Sequence, residues 1–201
     1  MADIEEIAGP IRKNLDEKEK ARESALKSTR EIIRTCRTAI SKMHSGGDFT
    51  EDLARASRRF SDLREELSAH PDLLFAGYSV SAQQELAEAE ILRAAISGDG
   101  LPSPDDIGVS DEAYILGIAD AIGELRRSFL EALMRDEIAG ARSLLAKMEE
   151  FFEFLTSFDY PDALVPVKRK QDIARSILEK CRGELALAHQ MASLSKKISK
   201  Q

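Results

Sequence analysis

The feature that most restricts this chain is the spacing of apolar residues over its first forty-odd positions. Ile4, Ile7, Ile11 and Leu15, then Ala25, Ile32, Ile33, Cys36, Ile40 and Met43, recur mainly in steps of three and four or their sums. That is the repeat of one helix face and not the two-residue alternation of a strand. The spacing predicts a helix from about Asp3 to His44, with Pro10 inside it as a place to kink or restart. At 1.5 Å per residue such a helix is ~60 Å long, more than a compact monomer of this size needs, so its end is expected to project into partners. Ser45-Gly46-Gly47-Asp48 stops it: glycine supplies a left-handed cap, and Asp48 or Thr50 can cap the next helix.

The same pattern continues down the chain. A second helix to about Ala69 buries Leu53, Ala56, Phe60, Leu63 and Leu67. Pro71 marks a boundary, and a third helix spans about Leu73 to Ile96, bent near Gly77. The run from Ser97 to Pro104 is a loop, followed by a short turn around Asp105 to Ile107. Ser110 or Asp111 caps a fourth helix reaching about Arg135. A fifth, Asp136 to Ser157, turns Leu144, Leu145, Met148, Phe151, Phe152 and Leu155 to the core. Tyr160-Pro161 and Pro166 precede a last long helix. Aromatic residues are only 5% and Trp is absent, while no run of β-branched residues alternates with polar ones, so no sheet is expected. The fold class is all-α: a single helical domain over 1–201, with about six to seven helices.

The net charge of −7 rules out a wholesale basic surface for duplex DNA, so any contact with phosphates must be local. Cys36 and Cys181 lie singly in helical patterns without CxxC or metal-like His spacing, which reads as buried, reduced thiols of a cytoplasmic protein. No apolar run approaches the ~18 residues of a membrane span, so no membrane partner is expected. There is no GxxxxGK[ST], no GxGxxG and no Ser/His/Asp or Cys/His set. His44, His70 and His189 stand alone and carry no assignment.

Acidic residues ask for more explanation. Glu85 and Glu88 are three apart in the third helix, and Asp120 and Glu124 four apart in the fourth, so each pair shares a face. On a helical wheel Glu88 falls between Ile91 and Leu92, on the apolar side, where a carboxylate is costly to ionise unless paired or bound to a cation. Glu90 points away from that side and reads as a solvated surface charge. Asp120 and Glu124 lie roughly opposite Ile118, Ile122, Leu125 and Phe129, where an ordinary solvated face would also be. Taken by themselves, such pairs are either bland helix surface or, if the two helices are neighbours, four hard oxygen donors suited to Mg²⁺.

The wording around them carries a resemblance. Tyr114-Ile115-Leu116-Gly117-Ile118-Ala119-Asp120-Ala121-Ile122-Gly123-Glu124-Leu125-Arg126-Arg127 is similar to the TRAX segment Tyr-Leu-x-Gly-x-Ala-Asp-x-x-Gly-Glu-Leu-x-Arg, and Gln84-Glu85-Leu86-Ala87-Glu88-Ala89 to its Gln-Glu-x-x-Glu-Ala. The chain thus resembles the translin/TRAX family over nearly its whole length, and having both acid pairs puts it nearer the TRAX branch, as a prokaryotic, archaeal-type member. The resemblance implies a hollow homo-oligomer, an octamer, with the carboxylates facing an inner chamber. It implies a metal-dependent endoribonuclease acting on single-stranded RNA, and single-stranded DNA as a further ligand. Glu85, Glu88, Asp120 and Glu124 are then the catalytic and metal-binding residues, with Mg²⁺ as cofactor and Mn²⁺ as a substitute.

Arg55, Arg58, Arg59 and Arg64 match in place the basic stretch by which translin binds nucleic acid, and the alternative is pairing with Asp52, Asp62, Glu65 and Glu66 along their own helix. Arg126 and Arg127 follow the acidic motif and are candidates to hold a scissile phosphate. Lys168, Arg169 and Lys170 read as solvated surface. One departure stands out: translin has positive charge at the start of the third helix, whereas Gly77-Tyr78-Ser79-Val80-Ser81-Ala82 has none. The rival readings are a non-catalytic single-strand binder of translin type and a purely structural helical assembly.

Overall fold

A computed structural model of the chain describes residues 3–198. Among these residues there are eight helices and no strand: α1 (Ile4–Ser45), α2 (Thr50–Glu66), α3 (Pro71–Leu74), α4 (Gly77–Ser97), α5 (Pro104–Ile107), α6 (Asp111–Met134), α7 (Ile138–Thr156) and α8 (Lys168–Ile198). The two four-residue helices account for the excess over the expected number. Helix α1 runs on through Pro10 and ends where Gly46 turns left-handed at φ 70°, its N–H donating to the Lys42 carbonyl. Helix α6 starts where the Ser110 hydroxyl accepts from the Ala113 N–H at 3.3 Å.

The expected third helix is two helices. Phe75 and Ala76 separate α3 from α4, and the buried side chain of Gln83 supplies partners for the backbone there. Its amide donates to the Leu74 carbonyl at 3.0 Å and accepts from the Ser110 N–H at 2.9 Å. One amide thereby ties the end of α3, the first turns of α4 and the start of α6 together.

Helices α4 and α6 form the central pair: α4 lies between α1 and α6, α2 covers α1, and α7 and α8 pack on the other side of α6. A central helix has no face to spare for water, and both are accordingly buried on most sides, through Leu86, Ala87, Ile91 and Leu92 of α4 and Ile118, Ile122, Leu125 and Phe129 of α6. Phe60 and Phe151 close the core from α2 and α7. The two long helices overrun it. Ile4, Ile7, Ile11 and Leu15, the first part of the α1 stripe, are exposed, because the neighbours of α1 cover it only from about Ala21 onward. Leu187, Met191 and Leu194 of α8 are exposed likewise. Among the described residues no helix is long and apolar enough to cross a membrane.

Candidate functional site

The four carboxylates picked out by spacing lie together where α1, α4 and α6 meet. The approach of the two central helices rests on Gly117: a Cβ there would stand 2.8 Å from the Ala87 Cβ, 3.0 Å from the Glu88 nitrogen and 3.1 Å from the Gln84 carbonyl. The absence of that one carbon lets Asp120 of α6 come into hydrogen-bond contact with the Gln84 amide of α4. A cleft of about 340 Å³ opens beside this contact, lined by Arg37, Ile40, Ser41, Glu85, Glu88, Glu124 and Arg127.

Three of the four acids have partners. Arg37 forks onto Glu85, donating through Nη2 at 2.7 Å and through Nε at 3.3 Å. Asp120 takes the Lys170 ammonium on one oxygen and the Gln84 amide on the other. Glu124 accepts from His44 Nε2 at 2.6 Å, in the tautomer that leaves Nδ1 to accept from the Ser128 hydroxyl at 3.4 Å. Among the described residues Glu88 has none of its own. Burial first, and then the charges of Asp120, Glu85 and Glu124, push its carboxyl from 4.5 up to about 8, with Lys170 opposing them. The negative potential reaches behind the cleft as well: the Cys36 thiol is pushed up by burial and further by Glu85, Glu88 and Glu90, so it stays protonated and inert.

Asp120 and Glu124 are about 30% exposed and not freely solvated, because α8, α4 and α1 close over their face. Glu90 differs from expectation too. It accepts from Ser57 of α2 at 3.2 Å and pairs with Arg93 at 3.1 Å, since α2 packs over the side of α4 that the wheel alone leaves open. His44, Arg37 and Lys170 are the participants that local reading passed over. His44 sits 80 positions from its partner Glu124, and Lys170 belongs to a basic run that reads as surface.

The arginines fall into different settings. Arg55 pairs with Asp52, Arg58 with Glu51 and Arg59 with Glu66, at 2.7, 2.7 and 3.0 Å, all within α2, and Arg59 also reaches Ser28 of α1. Arg64 is exposed and lies against Gly108, whose φ of 82° suits glycine. Arg126 turns inward and joins α6 to α8, donating to Glu184 at 3.0 Å and to Cys181 Sγ at 3.1 Å. Arg127 is exposed at the lip of the cleft and pairs with Glu131 at 3.5 Å.

The donor set suits a hard cation, because four carboxylates offer oxygens alone and Glu88 is held at a cost that a positive ion would remove. In their present contacts the side chains do not converge: among the described residues no three Asp, Glu, His or Cys are grouped so as to hold a metal ion. A cation would require Arg37, Lys170 or His44 to release the carboxylate it now holds.

No family model matches the chain. It is 39% identical over 175 residues to an uncharacterized protein of Methanocaldococcus jannaschii, covering 85% of this chain and 78% of that one. The crystal structure of AfC3PO superposes with a TM-score of 0.85 at 33% identity, covering 92% of this chain and 97% of the other, and the structure of an AfC3PO–duplex RNA complex does so with a TM-score of 0.75 at 32% identity over the same shares. Apo-NeC3PO, at 19% identity and a TM-score of 0.80, shares the fold over 94% of this chain and 98% of its own. These likenesses define the class, an all-α bundle of C3PO type. The chain belongs to the translin/TRAX family.

Proposed function

We propose that this protein is an RNA-binding, metal-dependent endoribonuclease of the TRAX kind, acting on single-stranded RNA inside a homo-oligomer. The observation that carries the reading is Glu88: a carboxylate half-buried beside three others, with no partner among the described hydrogen bonds and ion pairs, and a pKa of about 8. An ionised acid there lowers stability and gives an anionic ligand no contact, whereas a bound cation would favour its charged form. Glu85, Glu88, Asp120 and Glu124 would hold Mg²⁺ or Mn²⁺, which when bound polarises a phosphodiester and makes water a better nucleophile. Gln84 and Lys170 orient Asp120, His44 orients Glu124, and Arg127 at the lip meets a phosphate entering the cleft. Arg55, Arg58 and Arg59 spend much of their charge on acids of their own helix, so their share in holding RNA, like that of Arg64, is secondary, and Arg126 acts through α8.

RNA as the ligand is supported by AfC3PO, a third identical, which has been solved with duplex RNA. Self-association is supported by the exposed apolar stripes at the projecting ends of α1 and α8, which a monomer leaves in water, and an octamer is the assembly that the family resemblance implies. The competing reading, a binder without catalysis, is favoured by the absence of a gathered metal-ligand set among the described residues.

Labelled single-stranded RNA incubated with Mg²⁺ or EDTA separates the two. The wild type should cut only with the metal, and Glu88→Gln should reduce cutting at least ~100-fold while RNA binding stays within about twofold, as for a group used in the reaction and not in ground-state binding. No cutting by the wild type establishes the binder, and equal cutting by the variant traces the activity to a contaminant. Duplex RNA as a second substrate tests strand preference, and light scattering reads the assembly.

A further inference from the structure

The carboxylate cleft is entered from a second feature that the sequence did not bring forward. On α1 the side chains of Arg30, Arg34, Arg37 and Ser41 follow one another at steps of three and four, with Thr38 beside them, on the face turned away from the core, and all are exposed. With Ile33 and Lys42 they line a shallow groove of about 550 Å³. Arg37 and Ser41 also line the carboxylate cleft, so groove and cleft are continuous. Arg37 is bound to Glu85 and Lys42 to Asp52, whereas among the described residues no ion pair reaches Arg30 or Arg34. At the mouth of the cleft these two guanidiniums have charge to offer a ligand, where Arg55, Arg58 and Arg59 of α2 have largely spent theirs.

We propose that the Arg30–Ser41 face of α1 is the track along which the backbone of an RNA strand reaches the carboxylate cleft, with Arg30 and Arg34 holding phosphates outside it. A guanidinium presents a planar fork of donors that matches phosphate and also stacks on an unpaired base. Arg30 and Arg37 are seven residues apart, about 10 Å along the helix axis, so the track spans more than one nucleotide before the cleft begins. Ile33 gives the groove an apolar floor, and the Ser41 hydroxyl lies at the junction with the cleft. The polarity along the track has a use: a polyanion is drawn in by unpaired cations, and the acids beyond Arg37 are reached only by the segment already held.

The inference rests on the RNA-binding part of the proposed function, and one experiment tells the two apart. Affinity of the full-length protein for a labelled single-stranded RNA is measured against salt for the wild type, Arg30→Ala/Arg34→Ala, Arg34→Lys and Lys180→Ala, the last removing an exposed cation of α8. The double variant should bind about tenfold more weakly at moderate salt and lower the slope of log affinity against log salt by ~1.4, two contacts at ~0.7 each. Arg34→Lys should keep the slope, and Lys180→Ala should match the wild type. An unchanged slope in the double variant overturns the track, as does an equal loss in Lys180→Ala. A wild type that binds no RNA overturns the functional reading itself.

Discussion

The cleft between α1, α4 and α6 and the arginine rank of α2 hold comparable numbers of charges and treat them in opposite ways. Along α2 each of Arg55, Arg58 and Arg59 meets an acid of its own helix, three to seven residues away, in exposed or half-exposed positions. Such pairs form wherever the helix forms, and each is worth little in water. In the cleft the acids of α4 and α6 take their partners from α1 and α8, 48 to 80 positions away in sequence, and among the described residues Glu88 is left with none. The rank draws most of its partners from its own helix, with Arg59 reaching across to Ser28 and Glu31 of α1. The cleft needs the whole fold, and its strain is concentrated on one group. The lesson is that a charge cluster built from local pairs marks surface, whereas one that draws its partners from distant segments marks a site.

The sharpest way to break the comparison is to pry α4 from α6. Gly117→Val places carbon within 3 Å of the Ala87 side chain, and overpacking of this kind costs about 1–3 kcal/mol, with strain at a helix crossing at the upper end. The melting temperature should fall by roughly 2–4 °C per kcal/mol for a chain of this size. A variant that melts with the wild type would show that the two helices have room to spare.

An effect of similar size, but dependent on pH, follows from Glu88. Its folded pKa of about 8 lies above the ordinary 4.5, so the folded state holds a proton that the unfolded state gives up. In EDTA, stability should therefore decline as pH rises from about 4.5 to about 8 and then level off. Glu88→Gln removes that decline, giving no advantage near pH 4 and one on the order of a few kcal/mol at pH 9. Denaturation curves for the two proteins at both pH values measure it, and a constant difference between them would mean that Glu88 is as well solvated as any surface acid. The smallest effect belongs to the rank: Arg58→Ala should change stability by less than about 0.5 kcal/mol, and a loss of several times that would make its pair with Glu51 part of the framework.

These contrasts also explain what could be read in advance. Helices α1, α2, α6, α7 and α8 follow from apolar spacing and from Gly46, Ser110 and Pro166 at or near their boundaries, because helix periodicity is a local property. The break at Phe75–Ala76 escaped, since what stabilises it is the Gln83 side chain reaching across to Leu74 and Ser110. The exposure of Ile4 to Leu15 accords with the length of α1, which exceeds what a compact monomer needs, although spacing shows that a stripe exists and not what covers it. In the site, Glu88 stood out as an acid on an apolar face, and the motif around Asp120 and Glu124 supplied the rest. His44, Arg37 and Lys170 did not stand out, because a lone histidine, one arginine among many and a lysine in a basic run acquire meaning only when distant segments come together.

Gly117 has one more consequence. The separation of the two acid rows is set by a residue that brings no side chain, so the carboxylate cleft depends on a neutral position three residues from Asp120. Every single-base change that alters a glycine codon adds at least a methyl group or a hydroxymethyl, and each addition here would meet the backbone of the helix opposite. A protein of this family in which that position has drifted should therefore show wider-set carboxylates even with all four acids intact, so the acids alone do not define the cleft.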